Sequence, residues 1–95
     1  MVHDRILQRC RNNIRSRHYV MTIHAEEEMN DDLFTIFDVE HAVLNGNITE
    51  HQKDHFTGEW KYLINGSSLD ERSLFTAVKL SPTGKLVFLT IYKGD

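Results

Sequence analysis

Apolar residues recur along this chain with two different periods, a helical one first and a strand-like one afterwards. Within residues 3–17, Ile6, Leu7, Cys10 and Ile14 return at three- and four-residue spacing with arginines between them, which predicts an amphipathic helix. Tyr19-Val20-Met21-Thr22-Ile23 is a short β-prone run. His24-Ala25-Glu26-Glu27-Glu28-Met29 then opens a second helix, its acids placed where the positive end of the helix dipole favours them. Asn30-Asp31-Asp32 breaks that helix. Thr35, with Asp38 three residues on, has the form of a capping box. Ile36, Val39 and Val43 supply the stripe of a third helix, and Gly46 after Asn45 supplies its stop.

From Asn47 the period becomes two. Asn47–Gln52, Glu59–Asn65, Arg72–Ser81 and Lys85–Lys93 read as strands, joined by turn-rich segments at 53–58, 66–71 and 82–84. Short links favour antiparallel neighbours. The last two strands are apolar on both faces, as expected of mid-sheet strands with helices over at least one side. The expected fold is α+β: N-terminal helices packed on a four-stranded, mainly antiparallel sheet, in a single domain spanning residues 1–95.

Composition narrows the function classes. Ninety-five residues allow one modest core, and 40% hydrophobic residues with 26% charged ones exclude a disordered chain. No run approaches the ~20 apolar residues of a membrane helix, and Met1-Val2-His3-Asp4-Arg5 lacks the apolar stretch of a secretory signal. The single cysteine, Cys10, excludes an internal disulfide framework and reads as inert core. A cytoplasmic protein with no membrane partner is the default expectation. Charge is segregated: residues 1–18 hold five arginines against Asp4, whereas residues 24–40 hold seven acids and no lysine or arginine. With a net charge of −3, any nucleic-acid contact has to come from a local basic patch.

Several residues could carry chemistry. His24, between a strand-like run and a helix, suits a general base held at a sheet rim; its plainer role is to cap the helix or pack there. His51, Lys53 and His55 would share one face of a continuous strand. The His-x3-His spacing resembles a ligand pair, but it serves a helix face and no cysteine or carboxylate completes the set. A solvated hairpin tip is therefore expected, with no metal or other cofactor. Cleaving RNA without a metal needs a base near the 2′-hydroxyl, a cation for the developing negative charge and an acid for the leaving oxygen. His24, Arg72 and Lys79 could fill those catalytic roles if they converge, with Lys61, Tyr62 and Tyr92 holding the RNA by charge and stacking. Trp60 reads as core.

Longer stretches resemble a known group. These are Tyr19–Ile23 followed by His24-Ala25-x-x-x-Met29, then Thr35-Ile36-Phe37-Asp38-Val39-x-x-Ala42-Val43-x-x-Gly46-x-Ile48. Thr57-Gly58-Glu59-Trp60-Lys61-Tyr62 and Lys79-Leu80-Ser81-Pro82-Thr83-Gly84-Lys85-Leu86 complete the pattern. Together they resemble a small bacterial family, a domain of unknown function grouped with the RelE/ParE-like toxin superfamily, over about residues 15–93. The resemblance implies a RelE-like fold and the toxin of a type II toxin–antitoxin module. Such a toxin is a metal-independent mRNA endoribonuclease, often working at the ribosome, and is neutralised by a cognate antitoxin that in some modules carries a zinc-finger domain. The His-Ala pair carries over to His24 and Ala25. Where many relatives place an arginine just after that pair, this chain has Glu26, Glu27 and Glu28, which suits a basic protein surface. Two classes therefore stay open: a toxin-like ribonuclease, and a non-catalytic protein-binding module on the same scaffold.

Overall fold

The computed structural model describes residues 3–94. In chain order it contains α1 (Asp4–Arg15), β1 (Tyr19–Met21), α2 (Ile23–Asp31), α3 (Ile36–Asn45), β2 (Asn47–Lys53), β3 (Trp60–Ser67), β4 (Ser73–Leu80) and β5 (Leu86–Lys93). The fold is α+β, with three helices packed on a five-stranded mixed sheet of order β1-β5-β4-β3-β2. The expectation of four, mainly antiparallel strands is corrected at one edge. β1 joins the sheet parallel to β5, Tyr19 opposite Leu86 and Met21 opposite Phe88. Three residues are too few for alternation to show in sequence, and a parallel partner this distant leaves no turn signal. The other strands form an antiparallel meander, Ile64 opposite Thr76 and Val78 opposite Phe88.

Alternation along the strands decides which face the helices cover. Ile64, Leu74, Val78, Leu86, Phe88 and Ile91 are buried and join Leu7, Cys10 and Ile14 of α1, Ala25 and Met29 of α2, and Val39, Ala42 and Val43 of α3 in one core. Burial pushes the Cys10 thiol up to about 11, so it stays protonated and unreactive. α3 sits close on β3 because Gly66 lies beneath Ala42. A Cβ on Gly66 would come within 2.7 Å of the Ala42 carbonyl carbon and 2.8 Å of its Cα. The Tyr19 hydroxyl donates to Glu40 at 2.6 Å and ties β1 to α3; burial, then that carboxylate, raise the phenol to about 12. No helix among the described residues is long and apolar enough to cross a membrane.

α2 replaces a missing strand. β1 ends opposite Phe88, leaving the rest of the β5 edge without a neighbour. Thr22 caps α2 by accepting from the Ala25 N–H at 3.1 Å, and its own N–H donates to the Phe88 carbonyl at 3.1 Å. Further along, Glu28 Oε1 accepts from the Ile91 N–H at 3.2 Å and Asp32 Oδ2 from the Lys93 N–H at 2.9 Å. Two acids of the 24–40 segment thus satisfy and cover an exposed sheet edge, where unmet backbone groups invite aggregation.

Candidate functional site

His24, Arg72 and Lys79 do not share a surface. His24 opens α2 with its side chain 68% exposed, Nε2 lying 3.2 Å from Glu28 Oε1. Arg72 works at the other end of that helix, roughly 12 Å away by helical rise. Its guanidinium donates to the carbonyls of Asp32 at 2.9 Å and Leu33 at 3.0 Å and to the Asp70 carboxylate at 2.8 Å, and lies 4.3 Å over the Phe34 ring. These bonds satisfy carbonyls at the end of α2 that have no helical partner. Lys79 points from the sheet face opposite the helices, since its neighbour Val78 is buried beneath them.

That open face does gather three of the expected residues. Lys61 and Lys79 lie side by side, one step beyond the paired Tyr62 and Val78, and Tyr92 stacks on Phe75 with ring centroids 5.3 Å apart. Both lysines are already partnered by acids of the β2–β3 connection, Lys79 with Glu59 at 3.1 Å and Lys61 with Asp54 at 3.5 Å. Asp54 also accepts from the N–H groups of Phe56 at 2.8 Å and Thr57 at 3.1 Å, which hold its carboxyl below the ordinary range and build the turn. The open face therefore offers aromatic surface but little uncompensated positive charge.

Tyr62 faces the helices instead, and an aromatic-walled cleft lies around it. His3, at the N-cap position of α1, places Nε2 2.9 Å from Nδ1 of His51 on β2, with ring centroids 4.9 Å apart. Tyr62 stands edge-on to His3 at 6.3 Å and Trp60 edge-on to His51 at 5.3 Å. With Ile6 these rings line a pocket of about 170 Å³. Trp60, Tyr62 and Ile6 also wall an adjoining hollow of about 260 Å³ that includes Arg9. Lys53 Nζ lies 6.0 Å from the Trp60 ring. Trp60 is 44% exposed, a cleft wall rather than the core residue expected.

A β-bulge aims these groups. The register between β2 and β3 shifts between Ile48 and Glu50, so His51 pairs with Tyr62 and Lys53 with Trp60 on the helix side. Without the extra residue, both would face the opposite way. His55 falls in the turn after β2, so the expected alignment of 51, 53 and 55 along one strand stops at Lys53. No group of three or more potential metal ligands occurs among the described residues. Arg9 and Lys53 have no carboxylate partner among the described residues, whereas Lys61, Lys79 and Arg72 each do. The cleft can thus offer an imidazole pair and an aromatic wall, with Arg9 in the adjoining hollow and Lys53 against the Trp60 ring. Burial raises the Tyr62 phenol, keeping it a neutral donor.

Residues 21–93 match the family described as domain of unknown function DUF4258. The chain belongs to the DUF4258 family. Comparison with curated proteins and with solved structures finds no significant match. The DUF4258 stretch contributes His51, Trp60 and Tyr62 to the cleft, while Ile6 and Arg9 come from α1 and His3 from its N-cap. Sequence reasoning singled out His51 and Tyr62 but missed His3 as a partner. Forty-eight residues separate the two histidines, and no local spacing links them.

Proposed function

We propose that this protein is a toxin-like RNA endonuclease of the RelE/ParE-like group that works without a metal, with its reaction centre in the cleft between α1 and the β2–β3 hairpin. The observation that carries this reading is the 2.9 Å contact between the His3 and His51 imidazoles beneath an aromatic wall. One ring nitrogen must present a lone pair and the other an N–H, which is the complementary pair that acid–base catalysis needs. A phosphodiester entering the cleft displaces that contact. One imidazole then takes the proton of the ribose 2′-hydroxyl as its oxygen bonds to phosphorus. The other gives its proton to the departing 5′-oxygen. The products are a 2′,3′-cyclic phosphate and a 5′-hydroxyl end. Lys53 and Arg9 stand close enough to the cleft to draw in the phosphate, and Trp60 offers a face for a base.

On this reading the protein acts in the cytoplasm on mRNA, at the ribosome or free, and a cognate antitoxin, with a zinc-finger domain in some modules, restrains it. The test is incubation of purified protein with an RNA oligonucleotide in excess chelator, followed by analysis of the cut ends. Cyclic-phosphate ends are expected, with a loss of about 100-fold or more in rate for His51→Ala and for His3→Ala, and little change for His24→Ala. Uncut RNA with the wild type, or equal cutting by His51→Ala, overturns the assignment and leaves the non-catalytic binding module.

A further inference from the structure

We infer that the outer side of α2, the start of α3 and the 68–72 turn form a docking surface for an amphipathic helix of another protein, one whose apolar stripe is bordered by lysines or arginines. This surface lies apart from the cleft and does not depend on its chemistry. Leu33, Phe37 and Leu69 are 80%, 57% and 59% exposed. Side-chain bonds to the backbone gather them: the Leu69 N–H donates to the carboxylate of Asp38, next to Phe37, at 3.0 Å, and the Leu33 carbonyl accepts from the Arg72 guanidinium at 3.0 Å. Leu44, exposed two turns after Phe37, extends the same side of α3.

Packing does not account for Leu33. It sits just past the end of α2 with φ of 58°, where the Phe34 N–H returns to Met29 at 2.9 Å and the Leu33 N–H to Asn30 at 3.1 Å. This is the Schellman arrangement, and its left-handed position ordinarily takes glycine. A leucine there is strained, and its side chain buries little. One exposed leucine alone would need no explanation. A strained one, beside two more large apolar side chains, is a local rule broken without a gain to the fold.

Charge decides the partner. The carboxylates of Glu26, Glu27, Asp31 and Glu71 are exposed and have no partner among the described residues. No lysine or arginine occurs between Arg17 and Lys53, and the nearby Arg72 is held by Asp70, Asp32 and Leu33. An apolar centre with an anionic rim complements an apolar stripe with cationic borders. A second copy of this chain fits poorly, because its arginine-rich helix α1 turns Leu7, Cys10 and Ile14 into its own core.

Two synthetic leucine-striped helical peptides of about 18 residues, one bordered by lysines and one by glutamates, test this by fluorescence anisotropy and by amide shift mapping at low and high salt. The lysine-bordered peptide is expected to bind, to shift Leu33, Phe37 and Leu69, and to weaken as salt rises. Leu33→Gly should weaken it about ten-fold without lowering the unfolding midpoint. The Glu27→Lys/Asp31→Lys double variant should lose most of the salt dependence, and His51→Ala should bind as the wild type does. Equal binding of both peptides, shifts confined to the cleft, or unchanged affinity in Leu33→Gly would overturn the proposal. So would a concentration-dependent dimer abolished by Leu33→Gly, which would make the occupant a second copy.

Discussion

Two polar clusters in this molecule use similar side chains in opposite ways. Around Asp38 and Arg72, the strong groups bond to backbone. Asp38 accepts from Thr35 N–H at 2.8 Å and Leu69 N–H at 3.0 Å, and Arg72 closes the end of α2. The buried Ser68 hydroxyl donates to Asp70 and accepts from the Arg72 N–H at 3.0 Å. Among the described residues, the His3 and His51 side chains in the α1 cleft bond only to each other, and Arg9 and Lys53 bond to no acid. The first cluster fixes three chain segments in place. The second ties its imidazoles to each other beside an opening and anchors no backbone segment. Chemistry that touches a substrate belongs where polar groups are free, which is why a strongly bonded arginine is a weaker candidate than a lone one.

The largest expected effect is therefore on the fold and falls on the first cluster. Arg72→Ala removes two charge-assisted bonds to carbonyls, an ion pair and the contact over Phe34. For a side chain about one-third exposed this should cost about 2–3 kcal/mol in urea unfolding. Arg72→Lys should recover only part of it, since an ammonium cannot span both carbonyls as a planar fork does. A stable Arg72→Ala protein with abolished RNA cleavage would reverse the roles given to the two clusters.

Asp38 gives the same cluster a pH signature. Burial pushes its carboxyl up, but the bonds from Thr35 and Leu69 outweigh this and leave it below the ordinary 3.8. A carboxyl lowered by folding stabilises the native state at pH above its ordinary value, and that contribution disappears as pH falls through the folded-state value. The stability difference between wild type and Asp38→Asn should thus be constant near neutrality and shrink below about pH 4. A difference that persists at pH 2 would mean that the amide fails for reasons of shape, not charge.

Much of the fold was legible because its signals are local. Thr35 with Asp38 forms the capping box that the spacing predicts, and β4 and β5, apolar on both faces, lie mid-sheet. β1 was recognisable as β-prone but not as a sheet member, because it pairs with β5, far along the chain. The candidate site was legible only in pieces. His51 and Tyr62 stood out by residue type, yet the bulge that turns His51 toward α1 depends on pairing with β3, and His3 arrives from the other end of the chain. Arg72 drew notice as a cation in a strand; that its charge closes a helix could be seen only once Asp32 and Leu33 were placed beside it.

The smallest effect is expected in the cleft, and its smallness is informative. His3 and His51 are exposed or half-buried and make one bond to each other, so His51→Ala should change unfolding free energy by only about 0.5 kcal/mol. The exposed ring stands beside Trp60 and Tyr62 without anchoring any backbone segment, in contrast to Arg72. Loss of cleavage with stability intact would separate a substrate-facing pair from a structural one. Should His51→Ala instead cost as much as Arg72→Ala, the imidazoles would be a clasp holding α1 to the hairpin, and the two clusters would differ in residue type but not in purpose.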